Sequence, residues 1–535
     1  MTHLTEADLV QLAEHGISRE EAERQLGLLH DPPPPPHLDR PCTADDGITR
    51  LEPDDHDRLV ARYREARAAG WTGKFVPASG AASRMFKTLL PWVEYAGRPG
   101  ELGREVERRR ESGDPAAGDP LRFVAELHGF PFAGELASEL AARGQDLEDL
   151  RLRGDAGALL QALLAPDRLG YDGLPKALIP FHRYGPPDGD DVRTAFEEQL
   201  VEGAAFLADG EGRVRIHCTV PPDDRERIAR HLASARSRFE GRLRARFQVS
   251  FSIQSPSTDT LALTLDGPPE TEAGEPFRRA DGRLLLRPGG HGALLGNLDA
   301  VARDGGDLVF VKNIDNVQPD RVKPEAARWK EVLGGYLLEL RDRSAELLQR
   351  LETGDAAAAE EATRFLASRL GFRPPAAWET LPAGERARRL TERLERPLRV
   401  GGMVVNRGEP GGGPFWVAGE DGATSAQIVE RSQIDEDAPE QARVFGSSTH
   451  FNPVDLACAV RDLRGEPYDL SRYVDERAVF IAEKSHEGRP LLALERPGLW
   501  NGAMAGWNSA FVEVPEVTFS PVKTVFDLLR PEHQG

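Results

Sequence analysis

Short β-rich apolar runs alternate along most of this chain with helical patterns of about ten to fifteen residues. Residues 1–30 carry two helical stretches, the second opening on Ser18 with Glu21 at capping-box spacing, and the run Pro32 to Pro36 enforces an extended linker. Leu59, Val60 and Tyr63 recur at helical spacing and predict a helix from Pro53 to Ala69. KFVPAS at 74–79 follows as a buried strand, and GAASRMFKTLLPWVEYA as a loop entering a helix. From 100 to 170 the pattern is helical and charged, as in ELASELAARG and DAGALLQALLAP, which predicts an inserted helical segment. Strands are then expected at VRIHCTV, FQVSFSIQ, TLALTL and DLVFVKNID, with helices over RTAFEEQLVEGAAFL and DRERIARHLASARSRFEGRL. Residues 324–395 turn helical again. From Pro397 strands return at LRVGGMVVN, PFWVAG, LLALE and AFVEVP before a final helix at TVFDLL.

This alternation predicts an α/β fold whose mainly parallel sheet is covered on both faces by helices. At 535 residues the chain exceeds what one hydrophobic core accommodates. The expected division is an N-terminal helical region at 1–70, a core at 71–323 interrupted by the helical insertion at 100–170, a helical segment at 324–396, and a C-terminal α/β region at 397–535 that completes the site. No internal repeat is found.

Composition narrows the function. Hydrophobic residues at 39% and charged residues at 29% are ordinary for folded domains, which excludes a disordered chain. The net charge of 68 − 88 = −20 argues against coating nucleic acid or an anionic membrane. Cys42, Cys218 and Cys458 are too few and too scattered for a disulfide framework or a Cys-rich metal site. The N-terminus has no apolar run of signal length, and no stretch approaches the roughly 18 apolar residues of a membrane span. A cytoplasmic protein without nucleic-acid or membrane partners is expected. Only eight of the 68 basic residues are lysines: Lys74, Lys87, Lys176, Lys312, Lys323, Lys330, Lys484 and Lys523. Where lysine persists against this arginine background, a compact ammonium is expected to be needed, as at a crowded phosphate.

Three segments carry candidate chemistry. In KFVPASGAASRMFK a strand runs through a small-residue turn, where Ser79, Gly80 and Ala81 let backbone amides approach phosphate oxygens and Arg84 can pair with a phosphate. The same arrangement also serves tight packing. In RPGGHGALLGNLDAV a second turn holds Gly290, His291 and Gly292 before a helix, and a histidine there is as readily structural. DLVFVKNIDNV ends an apolar strand in Asn313, Asp315 and Asn316, which sets a carboxylate at the C-terminal edge of a sheet, suited to holding Mg²⁺ against phosphate oxygens. A simple turn with an Asx cap is the alternative.

The order of these segments, followed by FSPVKTVFDLL at 519–529, resembles the UDP-glucose and UDP-sugar pyrophosphorylases. That family carries a Gly-rich loop, a Pro-Lys segment, a Gly-His-Gly turn, an Asn-Asp-Asn strand end and a Pro-Val-Lys-Thr stretch, in that order. The matching residues are Pro175 and Lys176; Gly290, His291 and Gly292; Asp315; and Pro521, Val522, Lys523 and Thr524. The resemblance implies a Rossmann-like nucleotide-diphospho-sugar transferase core and a nucleotidyltransferase that joins a nucleoside triphosphate to a phosphorylated small molecule and releases pyrophosphate. It implies that Arg84, Lys176 and Lys523 act on phosphates, that Asp315 holds Mg²⁺, and that Gln254 lies near the base. Two departures stand out: Ala81, Ala82 and Ser83 replace the family's glycines and Thr, and the helical insertion separates Pro175 from the first loop, so Lys87 competes with Lys176 for the phosphate role. The whole chain also resembles a bacterial family known as domain of unknown function 4301, which implies no activity.

Other segments admit two readings. Ser255, Ser257, Thr258 and Asp259 form either a turn or a substrate contact, and GEPGGGPFW at 408–416 either a lid or a hairpin connection. His450, Asn452, Trp500, Asn501, Trp507 and Asn508 combine aromatic faces with amides as a sugar site does, but tryptophans also build cores. DGDD at 188–191 reads as a solvated turn. A metal-dependent glycosyltransferase on the same core, and a non-catalytic nucleotide-sugar-binding protein, are the alternative functions.

Overall fold

In a computed structural model that describes residues 4–69, 72–185, 191–265, 274–408 and 411–534, helices begin at the caps that the sequence offers. Thr5 and Asp8 form a full capping box on Glu6–Glu14. Ser18 accepts from the Glu21 amide to open Arg19–His30, but the Glu21 carboxylate turns to Arg24 and Gln25, so only half of that box closes. The helix at Pro53–Ala69 forms as its periodicity predicts.

The chain folds as two units, each built from separated segments. The first comprises Met1–Phe75, Ser252–Val311 and Trp329–Glu516, and the second Val76–Phe251, Lys312–Arg328 and Val517–Gly535. The first unit contains a mixed sheet with the strand order Thr43–Ala44, Gly47–Thr49, Asn508–Glu513, Leu398–Met403, Asp455–Ala459, Leu308–Val311, Thr72–Pro77. Asp455–Ala459 runs antiparallel to both neighbours, and the other pairings are parallel. Periodicity misses Asp455–Ala459 because DLACA, rich in alanine, carries little β preference. Helix Leu295–Arg303 buries Leu298, Val301 and Ala302 with Phe75, Val309, Leu456 and Trp507 in one core. Two smaller antiparallel sheets belong to the same unit, one of them taking Gly412–Ala418, from the segment read as a lid or a hairpin connection, into a hairpin with Thr424–Glu430; residues 409–410 of that segment lie outside the described residues.

The second unit holds the helices Pro99–Glu111, Asp119–Ala125, Ala133–Ala141, Leu147–Leu152 and Ala156–Leu164. Phe123, Phe130, Phe132, Leu136 and Leu160 bury their side chains there, with the Phe130 and Phe132 rings stacked at 5.1 Å. Gly157 is required: a Cβ would lie 2.4 Å from the Tyr95 carbonyl carbon. Strands Arg213–Thr219 and Arg246–Ser252 are neighbours, and Pro180–Tyr184 pairs with Asp191–Thr194. Most of DGDD, at 188–190, lies outside the described residues.

Two predicted helices are absent. GAASRMFKTLLPWVEYA forms only the 3₁₀ turns Ala82–Arg84 and Leu90–Tyr95, and TVFDLL only the 3₁₀ turn Val525–Leu529. Prolines border both runs, Pro91 within the first and Pro521 and Pro531 on either side of the second. Among the described residues no helix is long and apolar enough to cross a membrane.

Candidate active site

The site is built from helix Ala195–Leu207, whose N-terminus is fixed by a reciprocal box between Thr194 and Glu197. Its polar residues Glu198, Gln199 and Glu202 are buried instead of solvated, because each anchors the segment that follows strand Leu308–Val311. Glu202 accepts from Lys312 Nζ at 2.6 Å, the Gln199 amide donates to the carbonyls of Asn313 (2.9 Å) and Ile314 (3.3 Å), and Glu198 accepts from Lys323 Nζ at 2.5 Å. With both ends clamped, Asp315 has little freedom.

The C-terminal segment is tied to the same turn. Asn316 Oδ1 accepts from the Ser520 amide at 3.0 Å, Asn316 Nδ2 donates to the Thr518 carbonyl at 3.3 Å, and the Val522 amide donates to the Asp315 carbonyl at 3.0 Å. Asn316 is buried and holds the Lys523 segment in place. Asp527 Oδ2 accepts from the amides of Lys523 (2.8 Å) and Thr524 (2.6 Å), which shapes the turn under Lys523. The Pro-Lys segment meets the first loop through its backbone: the Lys176 amide donates to the Gly80 carbonyl at 3.0 Å and the Ala82 amide to the Leu174 carbonyl at 2.9 Å.

These anchors bring Lys176 and Lys523 onto one oxygen. Each ammonium lies 3.1 Å from Asp315 Oδ2, and Lys176 also donates to the Val522 carbonyl at 2.9 Å. Lys176 and Asp315 are buried, whereas the Lys523 side chain is 63% exposed and free to turn toward a ligand. Burial disfavours charge on Asp315, but Lys523 and Lys176 together overcome it and hold the carboxyl below its ordinary range. Burial also draws the Lys176 ammonium down, against the pull of Asp315. Two cations on one carboxylate leave a local positive excess.

Asp315 Oδ1 is buried without a hydrogen-bond partner. That free oxygen fits Mg²⁺ as a single protein ligand, the usual arrangement when phosphate oxygens and water complete the shell. Among the described residues no group of three His, Cys, Asp or Glu side chains forms a metal site. In the first loop Ser79, Gly80 and Ala81 are exposed, and their three consecutive amides donate no hydrogen bond among the described residues. Arg84 and Lys87 are exposed in the turns beyond, and neither bonds Asp315. Without an α-helix after this loop, an anion there has no helix N-terminus to draw on.

The remaining predicted residues belong to the first unit. A Cβ at Gly292 would stand 2.5 Å from Arg496 Cβ, and the His291 ring lies 4.8 Å from that of Trp500. Gly290 adopts a φ of +59°, which suits glycine. Asn501 is buried, with Nδ2 at 3.3 Å from the Ile428 carbonyl and Gln433 Oε1. His450 bonds Glu513 at 3.0 Å, Asn508 the Arg393 carbonyl at 2.8 Å, and Trp507 is core. Ser255, Ser257 and Thr258 bond within a turn. Gln254 Nε2 is buried without a hydrogen-bond partner, as are Asn501 Oδ1, Asn508 Oδ1 and Trp507 Nε1.

Lysine scarcity has a broader cause than phosphate binding. Lys74, Lys176, Lys312, Lys323 and Lys330 are all buried, and Lys330 bonds Asp455 at 3.1 Å much as Lys312 bonds Glu202. A compact ammonium satisfies a buried carboxylate where a planar fork would not fit. Lys176 and Lys523 differ from these pairs by sharing one acid.

Fold and site define a mixed α/β protein whose loops gather two ammonium groups and a run of free amides, a set suited to a phosphate-bearing ligand. The chain belongs to the family described as domain of unknown function (DUF4301), whose model matches residues 5–534. No curated protein matches it by sequence. Among solved structures it is similar to the uridine diphosphate N-acetylglucosamine pyrophosphorylase of Trypanosoma brucei, with 13% identity over 99% of this chain and 80% of that one and a TM-score of 0.46. A mutant UDP-glucose pyrophosphorylase from Leishmania major, in complex with UDP-glucose, shows 12% identity over 99% and 80% with a TM-score of 0.41. A putative UDP-N-acetylglucosamine pyrophosphorylase from Entamoeba histolytica shows 11% identity over 89% and 83% with a TM-score of 0.40.

Proposed function

We propose that this chain is a nucleotidyltransferase that joins a nucleoside triphosphate of the UTP type to a sugar phosphate and releases pyrophosphate. The observation that carries the reading is the meeting of Lys176 and Lys523, from the Pro-Lys and Pro-Val-Lys-Thr motifs, on the Asp315 of the Asn-Asp-Asn motif. Motifs that resemble one enzyme class in order thus share one cluster.

In the reaction, an oxygen of the acceptor phosphate attacks the α-phosphorus in line, a new P–O bond forms, and the α–β bridging bond breaks with its electron pair leaving on pyrophosphate. The attacking oxygen is already anionic, so no base has to remove a proton. The protein positions the groups and neutralises charge. Lys523, exposed at the surface, turns from Asp315 to the leaving pyrophosphate; buried Lys176 keeps its place and offsets charge near the α-phosphate. The free amides of Ser79, Gly80 and Ala81 cradle phosphate oxygens, with Arg84 as an added cation. Asp315 Oδ1 is the protein atom that would hold Mg²⁺, which would supply further neutralisation of phosphate charge.

Mass-spectrometric screening of nucleoside triphosphates against sugar phosphates, with pyrophosphate as readout, tests this. Pyrophosphate and a nucleotide sugar in equal amounts are expected. Binding of a nucleotide sugar without turnover in any combination would overturn the catalytic reading in favour of a non-catalytic binding protein, which the missing α-helix after the first loop favours.

A further inference from the structure

The helix Ala383–Leu394 and the turn after it carry Arg388, Arg389, Arg393 and Arg396, which line a cavity of about 420 Å³ together with Phe372 and Trp378, all within the first unit. The outer pair is neutralised, since Arg388 bonds Glu385 and Glu392, and Arg389 bonds Glu385 at 2.7 Å. The inner pair is not. Arg393 is buried, its cation lies 4.5 Å from the centre of the Phe372 ring, and its one hydrogen bond is a 3.3 Å contact from NH2 to the Trp507 carbonyl. Its Nε is buried with no partner. Arg396 likewise makes one 3.3 Å contact, to the Gly506 carbonyl. Neither has an ion pair among the described residues, although the carboxylates of Glu392 and Asp421 also line the cavity. Burial draws both guanidinium groups below the usual arginine range, and the neighbouring charge of Arg396 adds to it at Arg393, which is held at about 9.

Tethering alone does not account for this. Arg399, three residues on, is also buried but lines no part of this cavity, and it is held by shorter bonds to Ser509 Oγ (2.8 Å) and the Trp500 carbonyl (2.6 Å). Arg393 and Arg396 both line the cavity and leave most of their five N–H donors each without a protein partner. Uncompensated buried cations are costly unless an anion completes them.

We propose that this cavity binds a small phosphorylated molecule, its phosphate held by Arg393 and Arg396 and its ring or apolar body against Trp378 and Phe372. A guanidinium pair suits the phosphate and the aromatic faces suit the remainder. The role is independent of the nucleotidyltransferase reading, because every residue involved belongs to the first unit and none to the Asp315 cluster.

Phenyl phosphate is the probe, titrated calorimetrically against the full chain, with inorganic phosphate and benzoate as comparisons. Saturable binding is expected, tightest for phenyl phosphate, unchanged in Lys523→Ala and weakened about tenfold or more in Arg396→Gln, the loss of one charge-assisted contact. Arg393→Met is expected to abolish binding while the ligand-free melting temperature holds or rises, since an unpaired buried charge is removed. Equal affinity in Arg396→Gln, or an Arg393→Met chain that melts lower yet binds as before, would make these arginines tethers and overturn the proposal. Benzoate binding as tightly as phenyl phosphate would overturn the phosphate assignment.

Discussion

Lys523→Ala is expected to separate activity from stability. In the folded chain the ammonium makes one 3.1 Å contact with Asp315, and its side chain is 63% exposed, so the pair contributes at most about 1 kcal/mol to folding. Lys176 remains on the carboxylate, so Asp315 is not stranded. The backbone of the segment is held independently, by the Val522 amide on the Asp315 carbonyl and the Lys523 amide on Asp527. In turnover the same ammonium is assigned to the leaving pyrophosphate, where a charge-assisted hydrogen bond is worth about 1.5–3 kcal/mol, or about ten- to 150-fold in kcat/KM. Lys523→Arg keeps the charge, but its planar fork has to share Asp315 Oδ2 with Lys176, and a comparable fall is expected. Pyrophosphate release gives the first quantity and urea unfolding the second. Full activity in Lys523→Ala would detach the C-terminal segment from the chemistry; full activity in Lys523→Arg would remove the need for a compact ammonium; and equal losses of activity and stability would reduce Lys523 to a structural pair.

Other expectations follow from the same geometry. Asp315→Asn leaves buried Lys176 beside Lys523 without a counter-charge, so it should abolish turnover and cost about 3 kcal/mol at neutral pH. Because the folded carboxyl sits below its ordinary value, that stability is present above the carboxylate range and lost as pH falls through the folded value, so the gap between wild type and variant in urea should close in acid; a constant gap would contradict the pairing. His533, buried against His182 at 2.9 Å, is held down to about 3 by burial, then His182 and Arg530. The unfolded ring takes its proton near pH 6.5, so stability should fall as pH drops from about 6.5 toward 3, and His533→Gln should flatten that limb of a melting-temperature profile. Gly292→Ala should cost about 1–3 kcal/mol through overlap with Arg496 and Pro497, and unchanged unfolding would return that glycine to the list of ligand contacts.

Much of the local structure was legible in the residues themselves. Helices Pro53–Ala69 and Arg225–Leu243 and strands Arg213–Thr219 and Leu308–Val311 stand where periodicity places them, because a face must be buried along the whole element and that requirement is written at fixed spacing. The prolines that border the two expected helices found as 3₁₀ turns were equally visible at Pro91, Pro521 and Pro531. Motif order singled out Lys176, Asp315 and Lys523, but not that they share one oxygen. That depended on Glu198, Gln199 and Glu202, which in sequence look like the solvated face of an ordinary helix and in the structure are buried anchors for Lys312, Asn313, Ile314 and Lys323. It depended likewise on Asn316 and Asp527, which hold the C-terminal segment. Composition marked lysine as scarce, and only packing showed that most lysines serve buried carboxylates. A polar residue carries no periodic signal that tells solvent from a buried partner: spacing reports which side of an element is apolar, whereas the partner of a charge is set by which distant segment the fold brings within about 3 Å of it.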